Sequence, residues 1–453
     1  MNRPILMPVE TFNRELDSRL FVATRLATSN KRVFVGKHDS LVRLFPHCEG
    51  AIYLGKSLVT PFFTDRLDGL NQLHQAHGAL VHLDTEGAVF PGDEDDWRET
   101  LRSRIDPARL GGCDTICTWG DFQAAYYRSD QPPPTITATG EPRFDLYKDE
   151  NRAYYDAKVN ELRSSLGDFI LINTSLASAN NRLGTDYVFS PTSGYLADSE
   201  PGRDFVLRLW ARQQRALVAF VELIHRLSNT LASRKIVVRP HPSEDHNFYR
   251  TVLAGLDNVF VIHDGPVTPW LLAAEAMLHD GCTTAVEAYF ANCAIINYQV
   301  ASEMAGAYLA NSLGRRAHCE DEVLDLLASA ERGDVGSVPE RAKQLLKNFE
   351  TDAIQALDQA VESTVERLDV APMCPSNELV QRMEGRAFNM ERAKRVVRPL
   401  SRNRMKHNAH ARSKFPGFKE PDIEFRLGAI ERVTNVRLTF KIFSEDLLVV
   451  DSL

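Results

Sequence analysis

No stretch of this sequence approaches the roughly 20 consecutive apolar residues of a membrane-spanning helix. Its longer apolar runs, such as "ALVAFVELI", are broken by charge and read as core-facing helix. The opening "MNRPILMPVE" holds only a short apolar run before Glu10, so no secretory leader is expected. Cysteine is sparse: seven residues are scattered through 453, an odd number with no dense framework. That pattern predicts reduced thiols and a cytoplasmic setting. Cys113 and Cys117 lie close together in "CDTIC", but no second Cys/His pair has zinc spacing, so they read as strand core. Also missing are a Walker-type phosphate loop, a G-x-G-x-x-G turn after a strand, an H-E-x-x-H pair and a G-x-S-x-G elbow. A formal net charge of -8 gives no general attraction to nucleic acid.

What is present is a long run of alternating elements. A chain of 453 residues exceeds one ordinary core, so two or more domains are expected. Strand-type runs "ILMPVE", "RVFVG", "AIYLG", "ALVHL", "TICTWG" and "TITATG" are interleaved with helical patterns such as "TFNRELDSRLFVATRLA". Such alternation predicts a parallel, doubly wound sheet. A second α/β run starts at "FILINTS" and continues through "KIVVR", "VFVIHD", "AMLHDG" and "AIINY". Its best helix, "FVLRLWARQQRALVAFVELIHRLS", has apolar residues at 206, 210, 217, 220, 221, 224 and 227. The expected fold is therefore α/β, with two Rossmann-like doubly wound domains facing a cleft and a helical C-terminal extension. The boundaries read as 1–145, a connector 146–166, a second domain 167–345 and the extension 346–453. Within the extension, residues 386–419 carry eleven Lys/Arg against one acid, Glu391. That block reads either as a solvated arm or as a peripheral contact with anionic lipid headgroups at the inner membrane face.

Three loops at expected strand ends carry chemistry. In "HLDTEG", Asp84 and Glu86 follow a strand at once, where a carboxylate can accept a proton from an attacking hydroxyl. The bland alternative is a turn in which Asp84 caps backbone N–H groups. In "VVRPHPSE", two prolines around His241 cannot continue a strand, so a stiff turn is expected, with Ser243 capping a following helix. Arg239 and His241 there can neutralise phosphate, or the turn is merely structural. In "HDGCTTAVEA", Gly281 allows close backbone approach and Thr283 and Thr284 open a helix suited to an anion. The competing reading is a capping box, Thr284-x-x-Glu287. The triplet Asp93-Glu94-Asp95 reads as a helix start rather than a metal site.

Taken together, "ILMPVETFNREL", "HLDTEG", "TWGDFQ", "TGEPRFDLY", "RPHPSE", "HDGCTTAVEA" and "KFPGF" give the chain its likeness. It resembles bacterial surface-carbohydrate biosynthesis proteins of the two-Rossmann-domain glycosyltransferase type (GT-B). It is also similar, more widely, to transferases that use CMP-activated 2-keto sugar acids of the sialic-acid and Kdo kind. Several of those carry paired acids before a glycine, a His-Pro motif and a Ser/Thr pair. Here Thr85 separates the acids, so the resemblance leaves open whether Asp84 or Glu86 is the base. His241-Pro242 and Thr283-Thr284 match the other two motifs. The resemblance implies catalytic Asp84, Glu86 and His241, and a donor nucleotide held by Arg239, His241, Pro242, Gly281, Thr283, Thr284 and Glu287. It implies no metal and no cofactor beyond the substrate nucleotide sugar. Glu10, Arg14 and His279 are candidates for the acceptor, a glycan or lipid-linked sugar; exposed-helix or core roles are the alternatives. Rival activities on the same fold are a CDP-glycerol or CDP-ribitol phosphotransferase, a UDP-sugar 2-epimerase and a non-catalytic nucleotide-binding partner.

Overall fold

The computed structural model describes residues 2–56, 58–59, 67–90, 92–129, 133–191, 193, 200–300, 308–397, 412 and 414–453. The chain divides into two compact units. Unit 1 comprises Met1–Ala88, Arg98–Tyr154 and Lys343–Leu453; unit 2 comprises Val89–Trp97 and Tyr155–Ala342.

Unit 1 is built on an eight-stranded sheet in the order β13-β14-β2-β1-β3-β4-β5-β6. Strands β1 (Arg3–Pro8), β2 (Lys31–Gly36), β3 (Ile52–Leu54), β4 (Ala79–Leu83), β5 (Thr115–Thr118) and β6 (Thr135–Ala138) pair in parallel. Unit 2 holds six strands in the order β12-β11-β10-β7-β8-β9, all parallel. They are β7 (Phe169–Asn173), β8 (Lys235–Arg239), β9 (Val259–Val261), β10 (Ala276–His279), β11 (Ala294–Tyr298) and β12 (Arg315–Ala317). Near-continuous apolar strands such as "FILIN" and "KIVVR" suit parallel sheets buried on both faces. The expectation of two Rossmann-like doubly wound sheets is met.

In unit 2, residues Ile170, Ile172, Ile236, Val238, Ala276, Leu278, Ala294 and Ile296 form one face of the sheet. The helix Glu200–Thr230 packs on that face through Leu217, Phe220, Leu223, Ile224 and Leu227. Five residues at helical spacing, each worth about 1.5–3 kcal/mol when buried, fix this helix far more firmly than propensity alone.

The last hundred residues differ from expectation in one respect. They are helical over Ala353–Glu366, Asn377–Val397 and Glu420–Thr434, and then end in a hairpin, β13 (Leu438–Ser444) and β14 (Leu447–Ser452). Strand β14 pairs antiparallel with β2, so the chain terminus completes the first sheet. "LLVVDS" opens on four consecutive apolar residues, a run that periodicity alone cannot tell from a buried helix segment. Of the basic block 386–419, residues 398–411 and 413 lie outside the described residues. Cys117 is buried in β5, but Cys113 is exposed in the turn before it, which corrects the strand-core reading. Among the described residues, no helix is long and apolar enough to cross a membrane.

Candidate functional site

In an open α/β sheet, ligands bind at the carboxyl ends of the strands, where the strand order reverses. Unit 1 reverses between β1 and β3, and unit 2 between β7 and β10. Glu10 follows β1 and Gly281 to Thr284 follow β10 at these points, whereas the acid loop follows β4 and His241 follows β8, each on the next strand along.

In unit 1, β1 runs out through Glu10 into the helix Phe12–Ala27, and β3 runs out to Lys56. Lys56 Nζ pairs with Glu10 Oε2 at 3.0 Å. The Glu10 backbone N–H donates to Glu15 Oε2 at 2.8 Å, and Arg14 donates to Glu15 Oε1 at 3.1 Å. The other end of the Arg14 guanidinium donates to Glu86 Oε1 at 2.9 Å. Arg104 lies 3.5 Å from Glu86 Oε2 and 3.7 Å from Asp84 Oδ2. Glu10, Arg14, Asp84 and Glu86 therefore meet, as expected for one locus. Glu15 is buried on the first helix, where it holds both the Glu10 N–H and Arg14.

The two acids of "HLDTEG" are placed differently. Asp84 Oδ1 accepts the Glu86 backbone N–H at 3.0 Å, so the turn-capping reading of Asp84 holds. Burial pushes the Glu86 carboxyl up, but Arg14, Lys56 and Arg104 outweigh it and hold the group well below the usual carboxylate range. Such a carboxylate is a poor proton acceptor. The loop is fixed from below by "TWGDFQ": Trp119 Nε1 donates to the Asp84 carbonyl at 2.7 Å and Gln123 Nε2 to the Gly87 carbonyl at 3.2 Å. Gly87 is required by this packing, since a Cβ there would lie 2.6 Å from Trp119 Cδ1.

In unit 2, the stiff turn after β8 is present, and its organiser is Glu244. Glu244 is 1% exposed and accepts four hydrogen bonds. Oε1 takes the Thr174 hydroxyl at 2.8 Å, the His241 N–H at 3.0 Å and the Leu176 N–H at 3.2 Å; Oε2 takes the Tyr249 hydroxyl at 2.5 Å. One carboxylate thus ties the loop after β7 to the His-Pro turn. Burial raises its pKa, against the pull of these donors. His241 is exposed, and its Nδ1 accepts the Ser243 N–H at 3.2 Å. That bond places the proton of the neutral ring on Nε2. The cap of the following helix, His246–Val252, is Asp245 rather than Ser243. The Ser243 N–H is instead spent on the histidine ring.

Arg239 is turned inward. Its guanidinium donates to the carbonyls of Asp264 at 2.9 Å and Gly265 at 2.5 Å, and lies 5.6 Å from the Trp270 ring. This geometry matches the merely structural alternative for that residue. After β10, Gly281 has φ +72°, a conformation that favours glycine. Thr283, not Thr284, is the N-cap of the helix Thr284–Phe290, and it makes no side-chain cap hydrogen bond. The capping box is therefore absent, because Glu287 stands one position too late for it. Thr284 Oγ1 lies 3.0 Å from Cys282 Sγ, and Glu287 is buried.

His279 is not available to an acceptor. It is 0% exposed, and neither ring nitrogen has a hydrogen-bond partner among the described residues. Burial lowers it to about 3, so the ring is neutral. In register it sits beside Asn297 of β11, and Asn173 extends β7 one step past the Ile172–Leu278 pair. Asp280 next to it is paired with buried Arg212 at 2.7 Å.

Sequence reasoning did not single out Lys56, Arg104, Asn173, Arg212 or Glu244. Glu244 had a signal, an acid three residues after His241, and Asn173 ends an otherwise apolar strand. Lys56 and Arg104 had none, since their partners lie well beyond one helical turn or one strand in sequence. Among the described residues, no group of three or more His, Cys, Asp or Glu is arranged to hold a metal ion.

No protein-family model matches the chain, and no curated protein sequence matches it. Solved structures do share its general course. A UDP-GlcNAc 2-epimerase of Methanocaldococcus jannaschii, in complex with UDP-GlcNAc and UDP, is 10% identical with a TM-score of 0.47, over 80% of this chain and 99% of that one. MnaA of S. aureus with UDP is 10% identical with a TM-score of 0.46, over 83% of this chain and 100% of that one. The wall teichoic acid polymerase TagF is 10% identical with a TM-score of 0.46, over 82% of this chain and 90% of that one. Likeness of this degree leaves the reaction open.

Proposed function

We propose that the protein is a nucleotide-sugar-dependent glycosyltransferase of surface-polysaccharide or lipopolysaccharide assembly, acting in the cytoplasm. The observation that carries this reading is the content of the strand ends at and next to the two reversal points. Unit 1 presents a fixed acid loop after β4, and unit 2 presents an exposed histidine after β8 and a glycine turn with two threonines after β10. A base and a phosphate-contacting proton donor are what group transfer from an activated donor requires.

Asp84 acts as the base in this reading. Glu86 is held too strongly ionised to take a proton, and its role is to hold Arg14 and Arg104 beside the acceptor, with Glu10 completing that shell. On unit 2, His241 Nε2–H donates to the departing nucleotide's phosphate. Thr283, Thr284 and the Gly281 backbone contact the same phosphates, while Pro242 keeps the turn stiff and Glu287 supports the helix start from within. Arg239 acts indirectly, by anchoring the loop that contains Asp264 and Gly265. The donor is a CMP-activated 2-keto sugar acid, on the strength of the sequence resemblance, and the acceptor is a glycan or lipid-linked sugar. The basic block 386–419 makes peripheral contact with anionic lipid.

Nucleotide release from a panel of CMP-, CDP- and UDP-linked donors, with and without acceptor, tests this. Acceptor-dependent release of CMP is expected, and His241→Ala abolishes it. Sugar isomerisation without acceptor, with UDP binding better than CMP, would replace this reading by the epimerase. Release of CMP with transfer of a glycerol or ribitol phosphate would replace it by the phosphotransferase.

A further inference from the structure

Beneath the acid loop of unit 1 lies a cavity of about 20 Å3 whose polar lining is His82, Asp84, Thr118, Trp119, Gln123 and Tyr127. A cavity of roughly 10–15 Å3 on this measure holds one water, provided two to four polar groups face it. Several lining groups are already committed. Trp119 Nε1 donates to the Asp84 carbonyl, the Tyr127 hydroxyl to the Leu101 carbonyl at 3.1 Å, and the Thr118 hydroxyl to the Gly120 carbonyl at 3.0 Å. Gln123 Nε2 donates to the carbonyls of Gly87 and Leu345.

Two lining atoms remain. His82 Nδ1 and Gln123 Oε1 are buried without a hydrogen-bond partner among the described residues, on side chains of residues 4% and 2% exposed. Leaving a buried donor or acceptor unsatisfied costs its full desolvation, so a native fold supplies a partner. The volume excludes any larger molecule.

The geometry points to a single ordered water in this cavity that accepts from His82 Nδ1–H and donates to Gln123 Oε1 and to the Asp84 carboxylate. His82 and Gln123 are then positioning residues for Asp84, acting on it through that water. The donor count closes: one ring N–H and two water protons serve three acceptor sites. Burial lowers His82 to about 4, against the pull of Asp84, so the ring stays neutral near pH 7 and adds no cation beneath Asp84. The other charged or titratable groups around this locus are Lys56, Glu86, Arg104, Cys117 and Tyr127, and burial pushes the Cys117 thiol up, so it stays neutral.

A crystal structure of the full chain at about 1.5 Å tests the site directly. One water peak within about 2.6–3.2 Å of His82 Nδ1, Gln123 Oε1 and an Asp84 oxygen is expected. A dry cavity, or a His82 Nδ1 bonded to protein, overturns the proposal. Crystal structures of two variants test the coupling without any assay of activity. His82→Phe removes the water's donor partner, so the water peak disappears and the Asp84 carboxylate leaves its place. His82→Asn, whose amide nitrogen replaces Nδ1, restores both. An Asp84 carboxylate unmoved in His82→Phe, or displaced equally in both variants, overturns the positioning role.

Discussion

The two reversal points solve the same problem with opposite chemistry. In unit 1 the locus is dense with charge: Glu10, Glu15, Asp84 and Glu86 face Arg14, Lys56 and Arg104, four acids against three bases. In unit 2 the His-Pro turn is organised by one buried carboxylate, Glu244, holding neutral donors, while the neighbouring strand ends carry Asn173, Arg239, His279 and Asn297, with Asp280 paired to Arg212. The unit 1 ion pairs are half-buried, and Glu15 is buried outright, so salt screens them less than surface pairs. At Glu244 every broken bond strands a buried partner. The contrast is between a network of several charges and a single carboxylate with four donors.

The largest expected effect tests unit 2. His241→Ala should lower acceptor-dependent transfer by roughly 10²–10⁴-fold, the range for a lost proton-transfer group, with the fold unchanged by circular dichroism. Asp84→Asn should fall by a similar factor. If both residues serve one reaction, the double variant should be hardly worse than either alone. Independent losses that multiply would separate the two loci functionally.

Glu244→Ala should come next, at about 3 kcal/mol of stability in chemical denaturation, because four donors lose their acceptor. Glu244→Gln should cost less and should loosen nucleotide binding more than it lowers the melting temperature. An effect under about 1 kcal/mol for the alanine variant would break the contrast between the units.

A pH experiment follows. His279 stays neutral in the fold down to about 3, whereas an unfolded histidine takes a proton near 6.5. The unfolded state therefore binds more protons between these values, and stability present above pH 6.5 is lost as the pH falls toward 3. At about pH 5 this group alone should cost ~2 kcal/mol. His279→Leu should remove that part of the slope, and an unchanged slope would show a charged ring.

The smallest effect sharpens the comparison from the other side. Lys56→Met should alter stability by under about 1 kcal/mol, since its pair with Glu10 is partly exposed. It should nevertheless raise the Glu86 midpoint, because Lys56 is one of three cations holding it down.

Much of the architecture was legible beforehand. Strands such as "FILIN" and "KIVVR" announce themselves by composition, and the helix Glu200–Thr230 by its spacing of Leu217, Phe220, Ile224 and Leu227. The prolines around His241 forced a turn whatever followed. Local caps were read less well: Asp245 rather than Ser243, and Thr283 rather than Thr284, because a small shift in a helix start changes no pattern of hydrophobicity.

The sequence by itself determined that two parallel sheets would form and which loops would stand at their carboxyl ends, since both follow from local pattern and chain order. Only the tertiary structure decided that Arg239 would be consumed by backbone carbonyls, that Glu244 would organise the His-Pro turn, and that the chain's last strand would close the first sheet on β2. Each of those depends on partners brought together by the fold, and an ionisable side chain's role is set by the dielectric and the donors around it, which no single-residue pattern encodes.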